Sequence, residues 1–310
     1  MTQKKIAVIG ECMIELSEKG ENIKRGFGGD TLNTAVYLAR QTNAAQLSVD
    51  YVTALGSDSF SDQMVAAWRQ ERVNTGLIQR LENKMPGLYV IETDAQGERT
   101  FWYWRSDAAA RYWLETPDAD AICQQLAQFD YLYLSGISLA ILPAASREKL
   151  LRLLNSCRAN GGQVIFDNNY RPRLWSGKEE AQQAYMAMLS CTDIAFLTLD
   201  DEHLLWGEQP LETVIARTRA AGVQEIVIKR GAASCLIACG DETLIEVPAN
   251  ALPAEKVIDT TAAGDSFSAG YLARRLSGGS PQEAAQRGHL TASTVIQHRG
   301  AIIPLSAMPA

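Results

Sequence analysis

Short β-branched runs that alternate with helix-length patterns constrain this chain more than any other feature. The strand candidates are KKIAVIG (4–10), VDYVTALG (49–56), YLYLSG (131–136), QVIFDNN (163–169), DIAFLT (193–198) and EIVIKRG (225–231). Helical patterns fall near 30–42, 58–72, 118–128, 143–160, 178–190, 199–206 and 211–221. The strands are almost continuously apolar, so both of their faces must be covered. Strand–helix alternation supplies that cover, and the expected class is α/β, a mostly parallel central sheet with helices on both faces. Helix starts are well marked. SGKE (176–179) and SPQE (280–283) read as capping boxes, the second with Pro281 at the first helical position.

Two stretches break this rhythm. Residues 11–26 (ECMIELSEKGENIKRG) and 87–105 (GLYVIETDAQGERTFWYWR) alternate polar and apolar residues, as half-exposed strands do. The second reads as a hairpin turning at DAQG, with Tyr89, Phe101, Trp102, Tyr103 and Trp104 on its strands. A small sheet laid over an α/β body would act as a lid that excludes water; the bland alternative is an edge extension of the main sheet. The expected organisation is one domain over 1–310 with a β-sheet lid from about 11–26 and 87–113. Such a lid has open edges, which a homo-oligomer paired through it would cover.

Composition narrows the functions. The chain has 310 residues, 46% hydrophobic and 21% charged, with a formal net charge of −7. It lacks the basic excess of a duplex-binding protein, so no nucleic-acid partner is expected. The N-terminal apolar run is interrupted by Glu11 and Glu15, too short and too charged for a signal peptide or membrane span, so no membrane partner is expected either. Six cysteines lie scattered without CxxC spacing, and none of the three histidines joins them in a ligand pattern. A zinc site is poorly supported, Cys235 and Cys239 read as core residues of a strand, and a cytoplasmic location is expected.

The densest chemistry lies in DTTAAGDSFSAGYLARRL (259–276). Small residues at Ala262, Ala263 and Gly264 leave backbone amides approachable. A helix starting near Gly264 adds unpaired N–H groups and the positive end of its dipole, which together make an anion hole. Asp265 in its first turn has two readings: an acidic residue favoured at any helix start, or a base beside a phosphate cradle. The local pattern leaves both open. No GxxxxGK[ST], GxGxxG, GxSxG or HExxH occurs.

DTTAAGDSF resembles the C-terminal signature of the ribokinase-like (PfkB) carbohydrate kinases, usually written DTxGAGD, and FGGDTLNTA (27–35) resembles their N-terminal signature. The resemblance covers the full chain. DNNYRPRLW (167–175), GLY (87–89) and FWYWR ending at Arg105 resemble the branch acting on the sugar acid 2-keto-3-deoxygluconate. It implies a ribokinase-like fold, with Asp265 as catalytic base and the amides of Ala262, Ala263 and Gly264 as phosphoryl cradle. Substrate would be met by Gly29, Asp30, Thr31, Leu32 and Asn33, with the glycines permitting close approach. Tyr89 and Tyr103 would cover it, and Arg105 and Arg171 would take its carboxylate, since guanidinium binds that group bidentately. Nucleotide contacts would fall on Asn169, Thr198, Lys229, Arg230 and Gly231 together with the cradle. MgATP is implied as donor, and the family admits a monovalent cation. Fructokinase or ribokinase-type activity is the alternative within the class, and a non-catalytic sugar sensor the alternative outside it.

Two departures stand out. AAGD replaces GAGD, so Ala262 must hold a negative φ or accept strain. The family's Asn-x-x-Glu, linked to magnesium and phosphate, aligns with Thr198-Leu199-Asp200-Asp201, where Asp201 would replace the glutamate. Glu15 stands where some relatives place a sugar-binding aspartate.

Overall fold

The computed structural model describes residues 3–19, 22–93, 99–240 and 244–309. Its strands in chain order are β1 Lys4–Ile9, β2 Met13–Lys19, β3 Asn22–Gly28, β4 Leu47–Val52, β5 Ala54–Gly56, β6 Gln79–Leu81, β7 Leu88–Thr93, β8 Arg99–Trp104, β9 Tyr131–Ser135, β10 Gln163–Asp167, β11 Ile194–Thr198, β12 Glu225–Lys229, β13 Cys235–Cys239 and β14 Ile245–Val247. Eight of them form the main sheet in the order β14-β13-β12-β11-β10-β9-β1-β4. The ladder is parallel from β4 to β12 and turns antiparallel at β13 and β14. This is the α/β architecture expected from the alternation.

Period-two side-chain alternation splits each central strand between two cores. Ala7, Ile9, Leu132, Leu134, Val164 and Phe166 face one side, where Leu150, Leu154, Tyr185 and Leu205 cover them. Ile6, Val8, Tyr131, Tyr133, Ile165 and Phe196 face the other, under Leu32, Leu38, Trp68 and Tyr271. Ligand-binding residues of such sheets collect beyond the carboxyl ends of the strands.

The lid is a separate four-stranded sheet, β3-β2-β7-β8. It is not an extension of the main sheet: its two hairpins join through a parallel β2–β7 ladder. The DAQG turn lies outside the described residues. Among the described residues, no helix is long and apolar enough to cross a membrane.

The structure corrects several local expectations. The run 49–56 is two strands, because the chain leaves the main sheet at Thr53 and β5 pairs with β6. SGKE is not a capping box. The helix Lys178–Leu189 starts from Gly177 without a side-chain cap, and the Ser176 hydroxyl donates instead to Glu180. SPQE does form the box, with Ser280 Oγ accepting from Glu283 N and the Glu283 carboxylate accepting from Ser280 N.

Candidate functional site

A cleft of about 2430 Å³ opens over the carboxyl ends of β1, β10, β11 and β12, with the aromatic strand β8 along its other wall. Single-ligand pockets run roughly 300–1,000 Å³, so this cleft has room for two substrates side by side.

At its floor the helix Ala263–Arg275 begins from Ala262, which has φ 60° and ψ 17°. Ala262 therefore accepts the strain rather than a negative φ. The left-handed residue folds the chain back so that the Ala263 N–H donates to the Thr260 carbonyl at 3.1 Å. That amide is thus spent on the turn, and the expectation that it cradles an anion is corrected. Among the described residues, the Gly264 and Asp265 amides of the first turn take no backbone acceptor. A Cβ on Gly264 would meet only the Lys229 ammonium, at 3.5 Å, so the space above it is open. Open space, two amides, a helix dipole and an ammonium suit a phosphate.

Left-handed backbone costs a residue bearing Cβ roughly 1–2 kcal/mol, and glycine loses some of that advantage to unfolded-state entropy. Ala262→Gly should therefore stabilise the fold by about 0.5–1 kcal/mol, read as a higher melting temperature. An unchanged or lower melting temperature would show that the turn carries no strain at Ala262.

Asp265 is the third residue of this helix, partly buried at the cleft floor. Its Oδ2 accepts from Asn33 Nδ2 at 2.9 Å, and its backbone carbonyl accepts from Thr34 Oγ1 at 3.4 Å. Desolvation, with the Asp30 carboxylate close by, raises the Asp265 pKa to about 7. A carboxylate of that basicity accepts a proton readily near neutral pH.

Asp30 and Asn33 start the helix Asp30–Gln41 and line the cleft, where Asn169 Nδ2 donates to Asp30 Oδ2 at 2.6 Å. Thr31 and Leu32 do not face it, and their expected substrate contact is corrected. The helical turn sends them into the core, where Thr31 Oγ1 bonds Tyr51 OH at 3.0 Å and Leu32 is 1% exposed. Gly29 lines the cleft, and a Cβ there would also strike the backbone carbonyl of Glu11.

Tyr89 and Tyr103 pair across β7 and β8 with ring centroids 5.9 Å apart, and both line the cleft. The Tyr89 hydroxyl donates to Glu15, its neighbour across the β2–β7 ladder, within the lid itself. Arg105 and Arg171 also line the cleft, each with a carboxylate partner. Arg105 pairs with Glu11, whose side chain is 1% exposed; Arg171, 51% exposed, sits 3.5 Å from Asp201. Burial raises the pKa of Glu11 and of Asp201, with the neighbouring arginine opposing it in each case.

On the side where the nucleotide is expected, Lys229 Nζ meets Asp167 Oδ2 at 2.7 Å. Thr198, Arg230 and Gly231 share the wall, although Arg230 is engaged by Ser234 and, at 2.7 Å, by Glu246. Asn169 has φ 26°, a strained value at the cleft edge. Sequence reasoning missed Glu11, Asp167 and Ser268. The available signal was position: Glu11 lies two residues past the end of β1 and Asp167 ends β10.

A ribokinase-like α/β body with a sheet lid beside the cleft, and a helix start whose open amides stand next to an aspartate, is the layout of a carbohydrate kinase. Residues 3–308 match the pfkB family carbohydrate kinase model, and the chain belongs to that family. It is 72% identical over 310 residues to the 2-dehydro-3-deoxygluconokinase of Dickeya dadantii, covering 100% of both chains. It is also 72% identical over 307 residues to the enzyme of the same name from Escherichia coli K12, covering 99% of each. The crystal structure of 2-dehydro-3-deoxygluconokinase from Thermotoga maritima shares the fold at a TM-score of 0.81, with 22% identity, 97% of this chain and 95% of that one covered.

Proposed function

We propose that this chain phosphorylates 2-keto-3-deoxygluconate at its terminal hydroxyl, with MgATP as donor. The observation that carries the reading is the meeting of Asp265 with the open Gly264–Asp265 amides in a cleft that also presents the guanidinium groups of Arg105 and Arg171. Full-length identity of 72% to two 2-dehydro-3-deoxygluconokinases supports the same activity.

Asp265 takes the proton of the sugar hydroxyl, whose oxygen attacks the γ-phosphorus as the bond to the bridging oxygen of ADP breaks. The Gly264 and Asp265 amides and the Lys229 ammonium stabilise charge on the phosphoryl oxygens. Asn33 holds the Asp265 carboxylate in place, and Tyr89 and Tyr103 exclude water above the sugar. Magnesium would offset phosphate charge, and Asp201, which lines the cleft near Lys229, would help to hold it. The chain works as one domain over 1–310, and a homo-oligomer paired through the lid sheet would cover its edges.

A sensor needs neither the cradle nor a carboxylate of raised pKa, which disfavours that alternative. The decisive experiment assays phosphoryl transfer from ATP to 2-keto-3-deoxygluconate, fructose and ribose. Transfer to the neutral sugars alone would overturn the substrate.

Arg171→Ala tests the carboxylate site. The KM for the sugar acid should rise roughly tenfold or more while that for ATP stays within about twofold. A charged hydrogen bond contributes about 1.5–3 kcal/mol, and half-exposure places Arg171 at the lower end. Equal increases for both substrates would assign Arg171 to the phosphates or to the fold.

A further inference from the structure

We propose that Asp167 is a positioning residue for phosphoryl transfer, anchoring the Lys229 ammonium against the phosphate side of the cleft. The inference rests on the kinase reading given above. Asp167 and Lys229 end β10 and β12, the two strands flanking β11, so the sheet itself brings them together. Their side chains are 5% and 11% exposed, yet both line the cleft. An ion pair placed only for stability has no need of that opening.

The anchor is built from three sides. Asp167 Oδ2 takes Lys229 Nζ at 2.7 Å, Ser268 Oγ at 2.9 Å and Tyr133 OH at 3.5 Å. Ser268 and Tyr133 are buried, so the carboxylate has no freedom to follow a wandering lysine. Lysine is a point charge with three donors on a flexible stem. One donor of Lys229 is fixed by Asp167, and Ser268 Oγ stands 3.5 Å from the same nitrogen. The ammonium is left beside Gly264, on the open flank where phosphate oxygens would lie.

The same scaffold reaches the base. Ser268 lies one turn after Asp265 on one helix, and Tyr133 OH bonds Thr34 Oγ1 at 3.3 Å, which in turn reaches the Asp265 carbonyl. Without Asp167, the carboxylates left near the Lys229 ammonium are Asp201 and, on that helix, Asp265. A lysine released toward Asp265 would neutralise the base and leave the phosphates. Asp167 therefore keeps two opposite charges of one reaction apart.

Asp167→Asn keeps the side-chain shape and removes the charge. It should lower kcat by about ten- to a hundredfold and raise the KM for MgATP, while the sugar-acid KM moves less than about twofold. The discriminating measurement is the cycle with Lys229→Met. If Asp167 acts through Lys229, adding Asp167→Asn to that background should cost less than about threefold more. Full additivity, or matching KM increases for both substrates, would overturn the proposal in favour of a structural pair. Should Asp167→Asn fail to fold, Ser268→Ala takes its place: a smaller loss of the same pattern supports the anchor, and unchanged kinetics overturns it. Calorimetric binding of a non-hydrolysable ATP analogue, without sugar, separates this from the substrate reading. If the wild type turns over only a neutral sugar, the substrate assignment falls while the Asp167–Lys229 coupling is measured with that sugar instead.

Discussion

Asp265→Asn is expected to fold, to bind both substrates, and to lose roughly 10²–10⁴ in kcat, the usual contribution of a general base. The amide can keep its bond with Asn33, so geometry survives while proton affinity is lost. The wild-type pH profile follows from the same environment. Desolvation is the largest cause of the raised pKa of Asp265, and Asp30 and Asp167 add to it, while the Asn33 hydrogen bond and Lys229 oppose it. The result is about 7, so kcat/KM should climb as pH approaches 7 and level off above it.

Stability should move the other way. The native state keeps the Asp265 proton up to about pH 7, whereas the unfolded chain releases it near 4. Native stability from this group is fully present below the unfolded value and is lost as pH rises through the folded one. Asp265→Asn removes that loss, so the variant should be more stable than wild type at pH 8, by a few kcal/mol at most and read as a higher melting temperature, and the gap should close toward pH 4. Near-normal turnover in the folded variant would remove Asp265 as the base. A wild-type melting temperature that is flat across this range would remove the raised pKa.

The sheet was legible because parallel strands buried on both faces are continuous apolar runs, and Gly or polar clusters bound them. The departures have local causes. Nothing in VDYVTALG marks the exit at Thr53, since residues on both sides of it are equally buried. Ser176 offered a capping pattern, but the helix starts one residue later and the hydroxyl found Glu180. Thr31 and Leu32 belong to a motif whose outer positions meet the cleft while helical periodicity sends the middle ones into the core. Ala262 could be flagged as strained but not assigned a conformation, because the turn that fixes φ also consumes the Ala263 amide. The charged partners were out of reach. Arg105 and Glu11 are 94 residues apart in the chain, and Lys229 and Asp167 are 62 apart. Local pattern finds which residues carry chemistry; only the sheet order says which of them neutralise one another.

That neutralisation sets the size of the final expectation, a preference for 2-keto-3-deoxygluconate over fructose in kcat/KM. If both guanidinium groups stood unpaired until the sugar acid arrived, a neutral sugar would be penalised by about 10⁴ or more. Arg105, however, already faces the buried carboxylate of Glu11, and half-exposed Arg171 sits near Asp201 and water. Each guanidinium then contributes only the difference between sharing its donors with a substrate carboxylate and keeping its present partner. With Arg171 at the lower end, about tenfold, and Arg105 at roughly ten- to a hundredfold, the two together predict a preference of roughly 10²–10³. Arg105→Ala should erase much of this preference. It should also destabilise the fold, because Glu11 would be left buried without its counter-charge. Arg105→Ala combined with Glu11→Gln separates the two effects: stability should recover while selectivity stays low. Salt should weaken the wild-type preference only modestly, since the Arg105 pair lies under the lid and beyond easy screening. Comparable kcat/KM values for the two sugars in the wild type would sink the sugar-acid site. A large preference that survives the loss of both arginines would keep the substrate and move its recognition to Asp30, Asn33 and the tyrosines of the lid.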